Sequence, residues 1–458
     1  MTRRESLFRY LVLIGLFCMS NAGTVLSQVS MDEDFEDYQS DIVADFYQFE
    51  DSINLDFANF LEQAWQEFEI YEGTEPPVYM FGKAGFPVST GHAPVSHEQK
   101  VSTVDPDFFG VPVRFTFLPE VVLSLSDVNE KRVADGWRKL ATTNFTSFLG
   151  ECERSFKRLR LNEWGEYLLL RRVCDQAYPH FSSSERNLLL FYILSNFGYR
   201  AKIGRGLDDS LVLLLPFKEE VFRIPYIRVE GMKYYVMNTE KSGLKKLYSF
   251  KAEYPTVRKT VSFAIRTNIQ FPVESVTRTF SGKNAFTVEL NRHLLDFYAS
   301  YPLCDLSVYF QAVSSDSFEE SLNRYIEKRL EGKSMLLRIA WLLDFAQQLF
   351  VHKPDKEVHR KEVYYFPEEI CYYPFADCED FSIFLSFLLK VYTHQKVLTL
   401  YYPSHVAVAV ENCGFKGKVF MYEDKEYIIC DPSYKGGALG KVIPACAGLK
   451  PKVVSYFK

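Results

Sequence analysis

Asp377-Cys378-Glu379-Asp380-Phe381-Ser382 decides how the rest of this chain is read. Phe381, Phe384, Leu385, Leu388 and Leu389 carry it onward as an apolar face at helical spacing, so Cys378 stands at or just before a helix N-terminus. There the helix dipole and the free N–H groups favour a thiolate, the reactive form of cysteine. Asp377, Glu379 and Asp380 act in the opposite sense, because nearby carboxylates raise a thiol pKa, and a cationic partner is therefore required. A candidate stands further along the chain: His405 opens the apolar run Val406-Ala407-Val408-Ala409-Val410, which reads as a buried strand. Beyond that run, the strand Tyr427-Ile428-Ile429-Cys430 ends at Asp431-Pro432-Ser433. Cys430 and Asp431 point to opposite faces of that strand, which keeps Cys430 out of the site. A helix-start Cys, a strand-end His and an Asp on a neighbouring strand let imidazole remove the thiol proton while the carboxylate fixes the imidazole tautomer.

The three segments Asp377–Ser382, Tyr402-Pro403-Ser404-His405-Val406-Ala407-Val408-Ala409-Val410 and Cys430-Asp431-Pro432-Ser433-Tyr434 resemble the motifs of bacterial transglutaminase-like cysteine proteins, an exported group of the papain-like superfamily. The similarity is strongest over residues 335–445 and weaker through the rest of the mature chain. It implies a papain-like α+β core in which Cys378 attacks an acyl carbon with help from His405 and Asp431. The resulting thioester passes to water or to an amine, with no cofactor. The backbone N–H of Cys378 is the expected oxyanion donor, and Tyr373 is a candidate for a second.

Laying Leu188 on Ile383 brings an earlier part of the chain into register with this one. Leu190, Ile193, Leu194 and Phe197 then fall on Leu385, Leu388, Leu389 and Tyr392, and Ser210–Leu214 falls on the His405 strand. Tyr234–Asn238 falls on Tyr427–Asp431 after a slip of two positions. The triad positions become Ser183, Ser210 and Asn238, a copy without thiolate or imidazole. The expected fold class is therefore α+β, with two tandem transglutaminase-like copies, the first degenerate and suited to binding or scaffolding.

Upstream, Asp34-Phe35, Asp45-Phe46, Asp56-Phe57 and Glu67-Phe68 recur at a constant spacing of eleven, with Tyr38, Phe49, Phe60 and Tyr71 three positions later. That period keeps an apolar stripe almost straight along a helix. No Lys or Arg occurs from Gln28 to Phe81, while residues 31–75 hold 15 acids, which leaves the remaining chain net basic. An amphipathic acidic helix over 32–72 follows from this pattern, either docked on a basic face or simply packed through its aromatic stripe. Binding to an anionic membrane is disfavoured, since surface helices of that kind are basic.

Arg3, Arg4 and Arg9, the apolar run Tyr10–Met19 and Ser20-Asn21-Ala22 form the n-region, h-region and cleavage site of a secretory signal. A second possible cut follows Ser27. The apolar run is too short to span a bilayer, and Phe17 before Cys18 disfavours lipidation. The chain is thus expected to be exported, to the periplasm or outside the cell. The expected organisation is a signal segment over 1–27, the acidic helix over 32–72, a linker rich in Pro, Gly, Ser and Thr over 73–112, and the degenerate domain over 113–255. A β-rich connection over 256–315 and the triad domain over 316–458 complete it.

Among 458 residues, 47% apolar and 24% charged describe a globular chain of more than one ordinary domain, and a net charge of −6 does not point to nucleic acid. The nine cysteines show neither CxxC modules nor dense stapling, leaving room for one or two disulfides. The eight histidines are scattered without HExxH or a Cys/His cluster, which argues against a metal centre. Two functions remain: a cysteine hydrolase or acyltransferase acting on peptide, protein or cell-wall peptide, or a non-catalytic assembly protein that uses these folds as binding modules.

Overall fold

The computed structural model describes residues 51–76, 102–125, 127–237, 245–281, 285–359 and 361–454. The signal segment, the repeat units before residue 51, linker residues 77–101 and Asn238 lie outside them. The chain divides into two compact units between Asp56 and Phe57. Of the first, residues 51–56 are described, and they are helical. The second is α+β.

Within the second unit residues 57–63 are helical. Gln66–Glu69 is a strand, not the end of the expected helix, and pairs antiparallel with Lys246–Ser249. Glu67-Phe68-Glu69-Ile70 alternates polar and apolar as well as fitting the longer helical repeat, and the sheet edge selects the two-residue period. Phe68 and Ile70 pack on the core cluster around Leu214, Ile227 and Leu247. The acids of this stretch meet basic residues of the same unit: Glu62 with Arg138 at 2.9 Å, Glu67 with Lys246 at 2.8 Å and Glu75 with Arg223 at 2.9 Å. All three pairs are solvent-accessible, so they orient the segment more than they stabilise it.

The linker expected over 73–112 is also shorter at its end. Ser102–Val104 pairs with Phe115–Phe117, and Asp107–Phe108 pairs with Val111–Pro112 across a turn at Gly110. Gly110 has φ +78°, and a Cβ there would collide with the His293 ring, so the turn requires glycine. Phe108 and Phe109 anchor the turn against Phe271 and Phe297.

Three helices follow, Glu130–Ala141, Thr146–Leu159 and Glu163–Ala177. Asn129 and Asn162 start the first and third by accepting from the N–H groups of Arg132 and Gly165, both at 3.0 Å. Fully buried Trp137 gathers Phe57, Phe191, Tyr192 and Tyr254 within 4.8–5.4 Å, and rings of this size supply much of the apolar burial that offsets chain entropy.

Ser183–Asn196 is held at its start by a reciprocal cap between Ser182 and Glu185. It lies on a six-stranded antiparallel sheet, whose order is Gln66–Glu69, Lys246–Ser249, Lys202–Gly206, Leu211–Leu215, Met232–Met237 and Tyr226–Val229. The connection over 256–315 is less β-rich than its alternation implied. A hairpin of Ser275–Phe280 and Phe286–Asn291 is present, but Arg292–Ala299 and Ser307–Phe310 are helical. Asn291 accepts from the His293 N–H and so turns the strand into a helix where alternation alone would extend it.

Asp316–Leu330 and Met335–Leu349 lead to the Cys378–Thr393 helix, which packs on Met335–Leu349 and on the strand His405–Glu411. The second sheet runs Phe420–Tyr422, Lys425–Cys430, His405–Glu411, Val397–Tyr402, Lys452–Val454, again antiparallel throughout. From the outer hairpin inward this repeats the order of the first sheet: hairpin, central strand, its predecessor, then a late strand. Among the described residues no helix is long and apolar enough to cross a membrane.

Candidate functional site

Cys378 is the first residue of its helix, with Asp377 as the cap. The Asp377 N–H donates to Asp380 Oδ2 at 3.4 Å, and Ser382 Oγ donates to Val406 O at 2.9 Å, which fastens the helix start to the head of the His405 strand. The Val406 backbone faces the Cys378 thiol and works to lower its pKa. In the first sheet Asn187 Nδ2 makes the corresponding bond to Leu211 O at 2.8 Å. The register that lays Leu188 on Ile383 also lays Asn187 on Ser382 and Leu211 on Val406.

His405 and Asp431 form a buried pair, with Nε2 2.8 Å from Oδ2. Asp431 is saturated with donors: Oδ1 accepts from Ser433 N, Ser433 Oγ and Tyr434 N at 3.2, 3.0 and 3.2 Å, and Oδ2 also accepts from Ile443 N at 2.9 Å. Surrounded in this way, the carboxylate can only accept from Nε2–H. The proton is thereby held on Nε2, and Nδ1 is left as the acceptor. The structure thus brings two of the three expected residues into direct contact.

The third is differently engaged. Cys378 is partly exposed, and its thiol donates to Glu379 Oε2 at 3.0 Å, with no hydrogen bond to His405. Burial, the charges of Glu379 and Asp377 and this bond push the thiol pKa well above its usual value. Glu379 and Asp377 beside it belong to a cluster of buried carboxyls that also includes Asp355, Glu362 and Asp380. Burial and the charge of Asp377 raise Asp355 to about 9, and they push Glu379 and Asp380 well up too; Asp377 itself is raised by burial. Asp377 and Glu379 share a side-chain hydrogen bond, which needs a proton on one of the two carboxyls, so the low-dielectric cluster keeps protons rather than full charge. One oxygen from each of Asp355, Glu362 and Asp377 falls within 4.8 Å of the others, a set that could hold a cation. His and Cys spacings carry no sign of it: these three residues are unevenly spaced acids, gathered by the fold of the 353–377 segment.

Tyr373 makes no hydrogen bond to Cys378. Its ring stacks on Tyr365 at 4.4 Å, and burial pushes its phenol up to about 12. Ser183 is the first residue of its helix, as Cys378 is of its own, and Ser210 Oγ bonds Asp208 at 2.6 Å, with no triad contact between them. The eight described cysteines are all free thiols.

The chain matches no family model, and neither curated proteins nor solved structures give a match.

Proposed function

We propose that the chain is an exported transglutaminase-like cysteine hydrolase or acyltransferase acting on peptide-like amides, with Cys378 as nucleophile, His405 as base and acid, and Asp431 as the orienting carboxylate. The observation that carries this reading is the buried His405–Asp431 pair, which leaves Nδ1 free beside a strand head that also faces the thiol of a helix-start cysteine. Nδ1 takes the thiol proton, and the sulfur forms a bond to the acyl carbon while the carbonyl electron pair moves onto oxygen. The Cys378 N–H, free of an intrahelical acceptor in the first turn, stabilises that oxygen. Collapse breaks the C–N bond, the amine leaves with the proton from His405, and a thioester remains. Water, giving a proton to His405, releases the acid and restores the thiol; an amine in its place gives transamidation. Hydrolysis is favoured because water is abundant. Export rests on the basic, apolar and small-residue pattern of residues 3–22.

The matching strand orders, the caps at Ser182 and Asp377 and the parallel bonds of Asn187 and Ser382 support an internal duplication whose first copy lacks the chemistry. A second reading, a binding or assembly module, is favoured by one contact, the thiol's bond to Glu379 in place of His405. Incubation of the full chain with a cell-wall peptide, an unfolded protein and an isopeptide cross-link, followed by intact-mass analysis, separates the two. The enzyme reading expects product, or an acyl adduct on Cys378 that is lost in Cys378→Ala. Neither product nor adduct across all three classes would favour the binding module.

A further inference from the structure

The helix Met335–Leu349 touches both halves of the site, since it packs on the nucleophile helix and sends Gln347 into the turn that follows Asp431. Gln347 is 5% exposed. Its Nε2 donates to Asp431 O and Gly437 O, both at 3.0 Å, and its Oε1 accepts from Gly436 N at 3.2 Å. One side-chain amide therefore spans both ends of the 431–437 turn with both N–H groups and the carbonyl engaged. Inside that turn lie the Ser433 and Tyr434 N–H groups that fix Oδ1 of Asp431. The turn has little room to adapt. Gly436 sits at φ +78°, Gly437 N donates to Tyr434 O at 2.7 Å, and a Cβ on Gly437 would strike the Tyr434 ring.

We propose that Gln347 is a positioning residue for the triad: its amide clamps the 431–437 turn so that the Asp431 carboxylate is presented to His405 Nε2 while the same helix supports Cys378. This rests on the triad reading above and adds to it a residue that touches neither substrate nor thiol. An amide is the side chain that fits. A carboxylate at this position would face two buried carbonyls without a proton to give, and an apolar side chain would leave two acceptors and one donor unpaired.

The test is the pH–rate profile of Cys378 alkylation by iodoacetamide, mapped by mass spectrometry on the full chain. Wild type would be compared with Gln347→Leu, Gln347→Glu, Asp431→Asn, the Gln347→Leu/Asp431→Asn double variant and the surface control Gln348→Ala, each checked for folding by circular dichroism. Gln347→Leu is expected to slow alkylation at pH 7 by about tenfold or more and to move the profile in the same direction as Asp431→Asn. In the double variant the two losses should not multiply, because both act through one carboxylate. Gln347→Glu keeps the volume and the acceptor for Gly436 N but turns an oxygen toward the Asp431 and Gly437 carbonyls, so it should lose at least as much; it serves as the working variant if Gln347→Leu does not fold. Gln348→Ala should match wild type. A folded Gln347 variant with an unchanged profile, or losses that multiply, overturns the inference while leaving the triad standing. If Asp431→Asn itself changes nothing, the triad reading fails and takes this inference with it.

Discussion

His405→Ala is expected to lower the rate of Cys378 alkylation at pH 7 by about 10²-fold or more, and Asp431→Asn by a comparable factor, with the fold intact in both. Burial, Glu379 and Asp377 all hold the thiol proton in place, so very little thiolate forms without a base. His405 heads the strand whose Val406 backbone faces the thiol, and Asp431 sets its tautomer. In Asp431→Asn the carboxamide can turn an N–H toward Nε2. The ring proton then moves to Nδ1, which becomes a donor and can no longer accept the thiol proton. The new amide must also face the N–H groups of Ser433, Tyr434 and Ile443. Retention of wild-type reactivity in His405→Ala would show that the thiol gets no help from imidazole.

The second large effect concerns stability. Asp355, raised to about 9, and Glu369, raised by burial to about 8, keep their protons in the folded chain, whereas the unfolded chain releases them near the ordinary values of 3.8 and 4.5. Groups raised on folding contribute most below the unfolded pKa, and that contribution is lost as pH rises toward the folded one. Asp377, Glu379 and Asp380 shift in the same direction. Stability should therefore fall from pH 5 to pH 8, at about 1.4 kcal/mol per pH unit for each fully retained proton. His359, lowered by burial, opposes this near its ordinary value of 6.5, and Lys202, lowered by burial to about 8, opposes it only above pH 8. Asp355→Asn should flatten the slope, match wild type near pH 4 and exceed it at pH 8 by about 1–3 kcal/mol. Urea titrations in the presence of a chelator would measure this, the chelator keeping a cation from replacing the protons at Asp355, Glu362 and Asp377. A wild-type profile that is flat or rises over this range would contradict the picture of the cluster.

Local patterns decide an element where one period dominates. The helix from Cys378, the strand from His405 and the strand ending at Cys430 begin or end where apolar spacing and capping residues place them. Glu67-Phe68-Glu69-Ile70 fits both a helical and a two-residue period, and only its partner strand Lys246–Ser249 resolves the choice. The turn at Gly110 reads as linker because its Pro and Gly are turn residues, while its aromatic anchors Phe271 and Phe297 come from a distant part of the chain. Contacts that depend on distant segments were beyond local spacing altogether. Gln347 reaches the Asp431 turn across the fold, and Asp355 and Glu362 converge on Asp377 without a repeating interval. The Glu379 carboxylate is adjacent to Cys378 in sequence, so its effect on the thiol was foreseeable, but not that it would take the thiol's hydrogen bond.

The most direct measurement of the central claim is the alkylation rate of each thiol in the wild-type chain at pH 7. Cys413 is the internal control, because it and Cys378 are the two partly exposed thiols among the eight described. If Cys378 serves as the nucleophile of a His405–Asp431 pair, it should react at least about tenfold faster than Cys413, despite the carboxyls around it. A Cys378 that reacts no faster than Cys413 would contradict the account.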